Sequence, residues 1–131
     1  MTVVNLSLGE IYDLALEAFT QNGCDPQNAE ALTRTVVAAE RDGSHSHGLF
    51  RVPGYVASLR SGKVNGGADP QIFNKSPVIL NVNGDGGYAP LAIERGIPAL
   101  AKSAAEFGIA AMIVTNTHHF AALWPEVEAL A

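Results

Sequence analysis

The feature that most constrains the fold is a pattern of two apolar segments with a long helical segment between them. Residues 77–83, Pro-Val-Ile-Leu-Asn-Val-Asn, have the length and β-branched content of a strand, and the glycine-rich residues 84–87 end it. An alanine-rich segment over about residues 89–107 then predicts a helix, with Gly108 as a natural stop. Residues 109–114 are nearly all apolar, which predicts a second strand, buried on both faces. The pattern predicts a strand–helix–strand unit and a mixed α/β fold.

Two helices with clear start signals precede this unit. Ser7 and Glu10 have the spacing of a capping box, and apolar residues follow at helical spacing as far as Gly23. Asp25 followed by Pro26 is typical of an N-cap and a first helical residue. The second helix should extend to about residue 41, end at a glycine, and bury the apolar face formed by Ala29, Leu32, Val36 and Ala39.

The segment between these helices and the first strand is less regular. Residues 43–48 should form a turn because glycine and small polar residues dominate there. Pro53 removes a backbone donor and disfavours helix at the preceding residue, so we expect a short helical turn and then a helix from Pro53 to about Arg60. Residues 61–77 are rich in glycine, asparagine and proline, which predicts a surface loop. A last helix should begin near Pro125.

The composition is that of a folded domain. Of the 131 residues, 47% are hydrophobic and 16% are charged, which argues against disorder. A net charge of −5 with scattered basic residues argues against nucleic acid or an acidic membrane surface as a partner. The sequence contains neither an apolar run of membrane-spanning length nor a signal peptide pattern. Cys24 is the single cysteine, so no internal disulfide can form, and we expect a cytoplasmic protein.

The apolar pattern is unfinished at the last residue. Val127, Leu130 and Ala131 begin an apolar helix face that has no stop signal. A single strand–helix–strand unit also makes a thin sheet for so many apolar side chains. We therefore expect the sequence to be part of a longer protein.

The densest polar cluster lies in residues 44–48, Ser-His-Ser-His-Gly, and is followed by Arg51. If this segment is helical, His47 and Arg51 share a face. An imidazole can transfer a proton near neutral pH, and a guanidinium can bind a carboxylate through two parallel hydrogen bonds. The pair suits an enzyme that protonates one end of a small acid while holding the other. The same residues also fit a helix-capping turn with solvated histidines and a surface arginine, and from spacing alone we favour that interpretation slightly.

A metal site at the histidines is rejected. His45 and His47 would face the same way only on a strand, which this segment does not resemble. No cysteine or carboxylate lies at zinc-like spacing from them. The adjacent side chains of His118 and His119 diverge. We therefore expect no bound metal.

Residues 84–89, Gly-Asp-Gly-Gly-Tyr-Ala, match the G-x-G-x-x-G/A dinucleotide-binding pattern between a strand and a helix. In that motif, backbone amides and a helix N-terminus bind pyrophosphate. An acidic residue should follow the second strand to bind a ribose, but residues 109–124 contain no Asp or Glu. A tight turn that needs positive φ explains the glycines as well, and we favour that interpretation.

A third cluster follows the second strand. Residues 116–124, Asn-Thr-His-His-Phe-Ala-Ala-Leu-Trp, lie where open α/β sheets bind ligands. The small residues would admit a cofactor, His119 could donate to a phosphate, and Phe120 or Trp124 could pack on a flat ring. A plain hydrophobic junction between a loop and a helix fits the same residues.

The order of these motifs resembles the type-2 malate/L-lactate dehydrogenase family. The resemblance extends over essentially the whole chain and rests on five elements: Ala39-Glu-Arg-Asp-Gly43, Ser46-His-Gly48, Arg51-Val-Pro-Gly-Tyr55, Asn83-Gly-Asp-Gly86 and Asn116-Thr-His-His-Phe120. It implies an NAD(P)-dependent oxidoreductase with the family's own non-Rossmann NAD(P)-binding fold. It also implies a homodimer and a chain substantially longer than this one.

Residues 119–125, His-Phe-Ala-Ala-Leu-Trp-Pro, look most like the branch that reduces Δ1-piperideine-2-carboxylate and Δ1-pyrroline-2-carboxylate. By that resemblance His47 is the proton donor, Ser46 is its charge-relay partner, and Arg51 is the ligand of the substrate carboxylate. The family's relay aspartate would lie beyond residue 131. The cofactor, NADPH with NADH as the alternative, would contact five consecutive residues: His119, Phe120, Ala121, Ala122 and Leu123.

The resemblance also implies a division of the chain. Residues 1–76 would form an N-terminal helical segment that carries substrate-binding and catalytic residues. Residues 77–131 would begin the NAD(P)-binding α/β domain. The first alternative is the same fold acting on an open-chain 2-hydroxy acid such as malate, lactate or ureidoglycolate, and the second is a non-catalytic domain that binds a small molecule.

Overall fold

The computed structural model describes residues 3–118 and 122–131, and its first half consists of helices. Helix α1 (Leu8–Thr20) begins at a complete capping box, in which the amide of Glu10 donates to the Ser7 hydroxyl and the amide of Ser7 donates to the Glu10 carboxylate. Helix α2 (Pro26–Arg41) begins at Asp25, whose side chain accepts from a backbone amide of the first turn. The predicted starts of both helices are confirmed.

Helix α2 is connected to α3 (Val52–Arg60) by two 3-10 turns, His45–His47 and Leu49–Arg51. The predicted turn and the predicted helix after it are confirmed. Gly48, however, has φ −89° and ψ −135° and separates the two turns. The residues that end these turns, a histidine and an arginine, therefore do not lie on one continuous helix. The expectation that this histidine and this arginine share one helix face is therefore not met.

A three-stranded sheet follows, with the strand order β1-β2-β3. Strand β1 (Gln71–Ser76) pairs antiparallel with β2 (Ile79–Asn83), which pairs parallel with β3 (Ala111–Thr115). The prediction of a surface loop over residues 61–77 is wrong where β1 lies. The side chains of β1 are almost all exposed, so the strand lacks the alternation of apolar and polar residues that reveals a half-buried strand.

Helix α4 (Ala89–Phe107) connects β2 to β3 and packs on one face of the sheet. Gly96 permits this close approach, because a Cβ there would lie 2.1 Å from Sδ of Met112. On the opposite face of β3, Ile113 is 48% exposed. The prediction that β3 is buried on both faces is therefore wrong, because in the described part of the chain only one face of β3 is covered.

The buried core joins the helices to the sheet. Phe19 on α1 and Leu32 on α2 are almost completely buried, and Tyr55 on α3 packs edge-on against Phe19 with ring centroids 6.0 Å apart. Tyr88, directly before α4, packs edge-on against Tyr55 at 5.2 Å and donates its hydroxyl to the Tyr55 carbonyl oxygen at 2.7 Å. This pair of tyrosines fixes α3 against the start of α4.

The last helix, α5 (Trp124–Glu128), begins where the sequence predicted it. Arg41, at the end of α2, forms ion pairs with both Asp42 and Glu128 and ties α5 to α2. Within residues 3–118 and 122–131, no helix combines the length and apolar character needed to cross a bilayer. The division of the chain at residue 76 stays a prediction, and β1 before it pairs with β2 after it.

Candidate functional site

The Ser-His pair predicted to carry a proton transfer is assembled on the first 3-10 turn. Ser46 Oγ lies 3.0 Å from Nδ1 of His47, and Ser44 Oγ lies 3.4 Å from the same nitrogen. Nε2 of His47 has no hydrogen-bond partner among the residues that the structure describes, and the residue is exposed. A serine hydroxyl can accept from a protonated Nδ1 and donate to an unprotonated one. The pair can therefore hold the ring in place while Nε2 gives up or takes a proton.

Glu40, near the end of α2, fixes this turn. Its carboxylate accepts a hydrogen bond from the Leu49 amide at 2.8 Å and lies 2.6 Å from Nδ1 of His45. The backbone passes so close to the carboxylate that a Cβ on Gly48 would lie 2.1 Å from Glu40 Oε1. The side chain of Glu40 is only 13% exposed, so the carboxylate has little freedom to move away. A larger residue at position 48 would have to displace the Glu40 carboxylate from these partners.

The imidazole of His47 also contacts α5. Its ring lies edge-on to the indole of Trp124, with centroids 6.2 Å apart and an interplanar angle of 76°. Trp124 Nε1 donates to Oδ2 of Asp42 at 2.7 Å. The Arg41 guanidinium, and after it the Trp124 hydrogen bond, hold the pKa of Asp42 below its ordinary value. Asp42 therefore stays ionised as an acceptor and fixes the indole beside His47.

Arg51 lines a separate cleft of about 160 Å³ with Gly54, Tyr55, Ser58 and His118. Burial raises the pKa of the Tyr55 phenol, and the adjacent Arg51 guanidinium partly offsets the rise. Gly54 leaves room in the cleft, because a Cβ there would meet no atom within 4 Å. The described residues that line the cleft include no carboxylate and do not include the histidine of the Ser-His pair. The cleft suits a small anion, although the whole chain has a net charge of −5.

His118 is held at this cleft by three contacts. Its amide donates to the Gly87 carbonyl at 2.8 Å, and its Nε2 lies 3.2 Å from Ser58 Oγ. Its ring packs edge-on against Tyr88, with centroids 5.9 Å apart. Burial raises the pKa of Tyr88, and the nearby Ser58 side chain partly offsets the rise. A residue from the loop after β3 is thereby placed against α3.

The glycine-rich turn over residues 84–87 supports this loop, and its interpretation as a turn is confirmed. Gly86 has a φ of +70°, a conformation that glycine adopts at little cost, and its amide donates to the Asn116 carbonyl at 2.8 Å. A Cβ on Gly84 would lie 2.3 Å from Cγ2 of Thr117. The glycines allow the backbone of the turn to pass close to the loop that carries His118.

The predicted cofactor segment lies only partly within the described residues. His119, Phe120 and Ala121 lie outside them, Ala122 is buried, and Leu123 is 66% exposed. Leu123 lines a cleft of about 260 Å³ at the carboxyl end of β3, together with Ala89, Ile93, Val114, Thr117 and Glu126. Mostly apolar walls with two polar side chains fit one face of a nicotinamide ring and its carboxamide. Ala122 does not line this cleft, and contact of the segment with a cofactor stays a prediction.

Local sequence patterns identified Arg51 and the Ser-His pair but not the side chains that surround them. His118 meets Ser58 across 60 positions of the chain, and Trp124 meets Asp42 across 82. No local spacing reports contacts over such separations. The family motifs contained Asp42 and His118, and the position of residues 116–124 after a predicted strand was a second signal for His118.

Comparison with known proteins identifies relatives over almost the whole chain. Residues 6–131 match the sequence model of the malate/L-lactate dehydrogenase family. The chain is 44% identical over 125 residues to the Δ1-pyrroline-2-carboxylate reductase of Ancylobacter novellus, covering 95% of this chain and 37% of that protein. It is 42% identical over 130 residues to the Δ1-pyrroline-2-carboxylate/Δ1-piperideine-2-carboxylate reductase of Pseudomonas putida, covering 99% and 38%. The chain thus spans about 38% of the length of its curated relatives.

Solved structures show the same fold. The Δ1-piperideine-2-carboxylate reductase of Pseudomonas syringae pv. tomato matches with a TM-score of 0.92 and 38% identity, over 97% of this chain and 38% of that one. The malate dehydrogenase of Pyrococcus horikoshii matches with a TM-score of 0.87 at 22% identity, over 96% of this chain and 36% of that one. The second likeness concerns the fold alone. The family resemblance and the mixed α/β fold predicted from the sequence are confirmed.

Proposed function

Because the chain belongs to the malate/L-lactate dehydrogenase family, we propose that it carries the proton-donating and carboxylate-binding residues of an NAD(P)H-dependent reductase. The substrates are the cyclic imino acids Δ1-pyrroline-2-carboxylate and Δ1-piperideine-2-carboxylate. The observation that carries this proposal is the 44% identity, over 95% of the chain, to a protein named Δ1-pyrroline-2-carboxylate reductase. The reaction adds a hydride to the carbon and a proton to the nitrogen of a C=N bond and yields a cyclic secondary amine.

Arg51 holds the substrate carboxylate in this proposal. Its guanidinium can donate two parallel hydrogen bonds to a carboxylate, a geometry that lysine lacks. The cleft that it lines is small and, among the described residues, has no acidic side chain that would repel an anion. The buried phenol of Tyr55 beside the guanidinium limits its movement, which lowers the entropy lost on binding.

His47 donates the proton through Nε2, while Ser46 holds Nδ1. His47 and Arg51 are four residues apart, so their Cα atoms are separated by at most about 14 Å even in an extended chain, and 3-10 turns shorten that distance. Two long side chains and one small acid can span it. The substrate nitrogen then lies toward His47, and its carboxylate lies toward Arg51.

The nicotinamide cofactor supplies the hydride when it is bound. Ala122 and Leu123, with the predicted contacts at His119, Phe120 and Ala121, would hold it at the carboxyl end of β3. The exposed side chain of Leu123 would cover one face of the ring and exclude water there. We propose NADPH as the preferred cofactor, with NADH as the alternative, and the ratio of kcat/KM for the two decides between them.

The test is a comparison of substrates with the full-length protein. We expect loss of NADPH absorbance with Δ1-pyrroline-2-carboxylate and Δ1-piperideine-2-carboxylate, and much lower kcat/KM with pyruvate and oxaloacetate. A preference for the open-chain acids would instead assign a 2-hydroxy acid dehydrogenase of the same family. If NADPH and NADH both fail to bind, as measured by Trp124 fluorescence, the protein is a non-catalytic binding domain.

We also propose that the full-length protein is a homodimer. Large apolar side chains are exposed on this chain, among them Phe50 at 77% and Ile109 at 75%, and an interface would bury such groups favourably. Light scattering after size exclusion should give the mass of a dimer, and a monomeric mass would contradict the proposal. The cytoplasmic location expected from the sequence stays a prediction.

A further inference from the structure

The two ring nitrogens of His118 have different surroundings. Its Nε2 lies 3.2 Å from Ser58 Oγ. The Ser58 hydroxyl can accept a hydrogen bond from Nε2–H, which would occupy that nitrogen. Nδ1 of His118 has no hydrogen-bond partner among the residues that the structure describes.

The surroundings of the ring favour an anion at this free nitrogen. His118 and the guanidinium of Arg51 line the same cleft of about 160 Å³, and no carboxylate is among the described lining residues. A ring that carries hydrogen on both nitrogens donates from Nε2 to Ser58 and from Nδ1 to an anion in the cleft. Gly54 also lines this cleft and contributes no side chain to it.

We propose that His118 is a second binding residue for the substrate carboxylate, together with Arg51. Ser58 is a positioning residue, because it holds Nε2 and leaves Nδ1 for the ligand. Since Arg51 precedes α3 and His118 follows β3, the bound carboxylate bridges the helical part of the chain and the sheet. The identity of the acid rests on the proposed function, whereas the anion site rests on the cleft itself.

The experiment measures ligand binding to the full-length protein by calorimetry. Pyrrole-2-carboxylate is planar, carries the carboxylate and has no reducible C=N bond, and pyrrole-2-carboxamide is its uncharged counterpart. We expect His118→Ala to weaken pyrrole-2-carboxylate binding about tenfold or more, the loss typical of a charge-assisted hydrogen bond, and to weaken carboxamide binding much less. Arg51→Ala and His118→Ala should be non-additive in the double variant, because both side chains contact one group. Unchanged carboxylate affinity, or an equal loss for both ligands, would overturn the proposal.

Two further variants separate binding from folding. Ser58→Ala keeps the imidazole but removes the hydroxyl that positions it. We therefore expect a smaller loss of affinity, again mainly for pyrrole-2-carboxylate. Ser61→Ala is the matched control, because its hydroxyl bonds only a backbone carbonyl and it does not line the cleft. If His118→Ala does not fold, the affinities of Ser58→Ala for the two ligands decide. A loss of affinity mainly for the carboxylate supports the site, and an equal loss for both ligands overturns it.

The outcomes for the site and for the reductase are distinguishable. Reduction of the imino acid with an unchanged KM in His118→Ala would refute the binding role and leave the proposed function intact. Binding of small carboxylates that depends on His118, in a protein that reduces no imino acid, would confirm the site and refute the proposed function.

Discussion

The indole of Trp124 lies edge-on to the imidazole of His47, with ring centroids 6.2 Å apart. Trp124 is fixed in turn by Asp42, which accepts the indole N–H at 2.7 Å. Asp42 follows α2 and Trp124 begins α5, so the proton donor of the proposed reaction is positioned by two helices that are remote in sequence. The position of His47 therefore depends on α5 as well as on its own turn.

The first prediction concerns Asp42. Asp42→Ala should shift Trp124 emission to longer wavelength, because the indole loses its acceptor and becomes more exposed to water. It should also lower kcat, because the ring contact with His47 loosens. Asp42→Asn keeps an oxygen acceptor and should remain near the wild type. Emission is measured as the difference from Trp124→Phe, and an Asp42→Ala spectrum identical to wild type would contradict this account.

The contacts of Asp42 also predict how the stability of the protein changes in acid. The pKa of Asp42 is lowered from its ordinary value of 3.8, so the ionised form is favoured in the folded protein. The stabilisation from Asp42 is therefore complete above pH 3.8 and is lost as the pH falls through the lower pKa of the folded state. Over that acid range the wild type should lose unfolding free energy relative to Asp42→Asn, and a constant difference between the two proteins would refute the lowered pKa.

The second prediction concerns Gly48. Gly48→Ala places a Cβ 2.1 Å from Glu40 Oε1, so the carboxylate must give up its bonds to the Leu49 amide and to His45. We expect a loss of about 1 kcal/mol in the free energy of unfolding, because these groups are only partly buried and water can replace part of the lost hydrogen bonding. Chemical denaturation measures it.

The control for this prediction is Gly67→Ala, because a Cβ there would meet its nearest neighbour atom at 3.8 Å. It should have little effect. A double variant sharpens the test: in a Glu40→Ala background, Gly48→Ala should cost little more, because the colliding carboxylate is gone. Additive losses of unfolding free energy would show that Gly48 is not needed to make room for the Glu40 carboxylate.

Local structure was predictable where a few neighbouring residues determine it. The capping box at Ser7 and the Asp25-Pro26 start depend on contacts within three residues, and both are present. Strand β1 was missed because its stability comes from pairing with β2, while its own side chains remain exposed. A strand at the edge of a sheet carries little apolar signal of its own.

The candidate site was predictable only in part, for a related reason. The Ser46–His47 contact is between adjacent residues, whereas the Arg51 cleft is completed by His118, far along the chain. Sequence spacing also suggested that His47 and Arg51 share a helix face, but the backbone of Gly48 breaks the helix between them. A single residue with non-helical dihedral angles is enough to defeat an argument based on helical periodicity.

The third prediction concerns Cys24, which is buried and free. Burial, with a smaller contribution from the charge of Asp25, raises the pKa of the Cys24 thiol to about 11. Alkylation by iodoacetamide near pH 8.5, where a free thiol is half ionised, should therefore be much slower in the native than in the unfolded protein. Equal alkylation rates in the native and the unfolded protein would contradict the burial of Cys24.

Stability should also depend on this thiol at high pH. The neutral form is favoured in the folded state, so its contribution is complete below pH 9.0 and is lost as the pH rises toward about 11. Relative to Cys24→Ala, the wild type should lose unfolding free energy over that range. If the difference in unfolding free energy between the wild type and Cys24→Ala stays constant over this pH range, the raised pKa of the thiol is refuted.

The fourth prediction concerns Arg51. Arg51→Lys keeps the positive charge but loses the two parallel hydrogen bonds, so KM for Δ1-pyrroline-2-carboxylate should rise about tenfold or more while the Kd of NADPH stays unchanged. Lys63→Arg, on the loop after α3, is a control that exchanges the same residue types outside the cleft. An unchanged KM in Arg51→Lys would remove this residue from carboxylate binding.

The most direct test of the account is the steady-state kinetics of His47→Gln in the full-length protein. If His47 donates the proton to the substrate nitrogen, kcat for Δ1-pyrroline-2-carboxylate should fall by about 10²–10⁴-fold, while the Kd of NADPH and the melting temperature remain those of the wild type. A variant that retains full kcat would show that the proton comes from elsewhere and would contradict the mechanism proposed for this site.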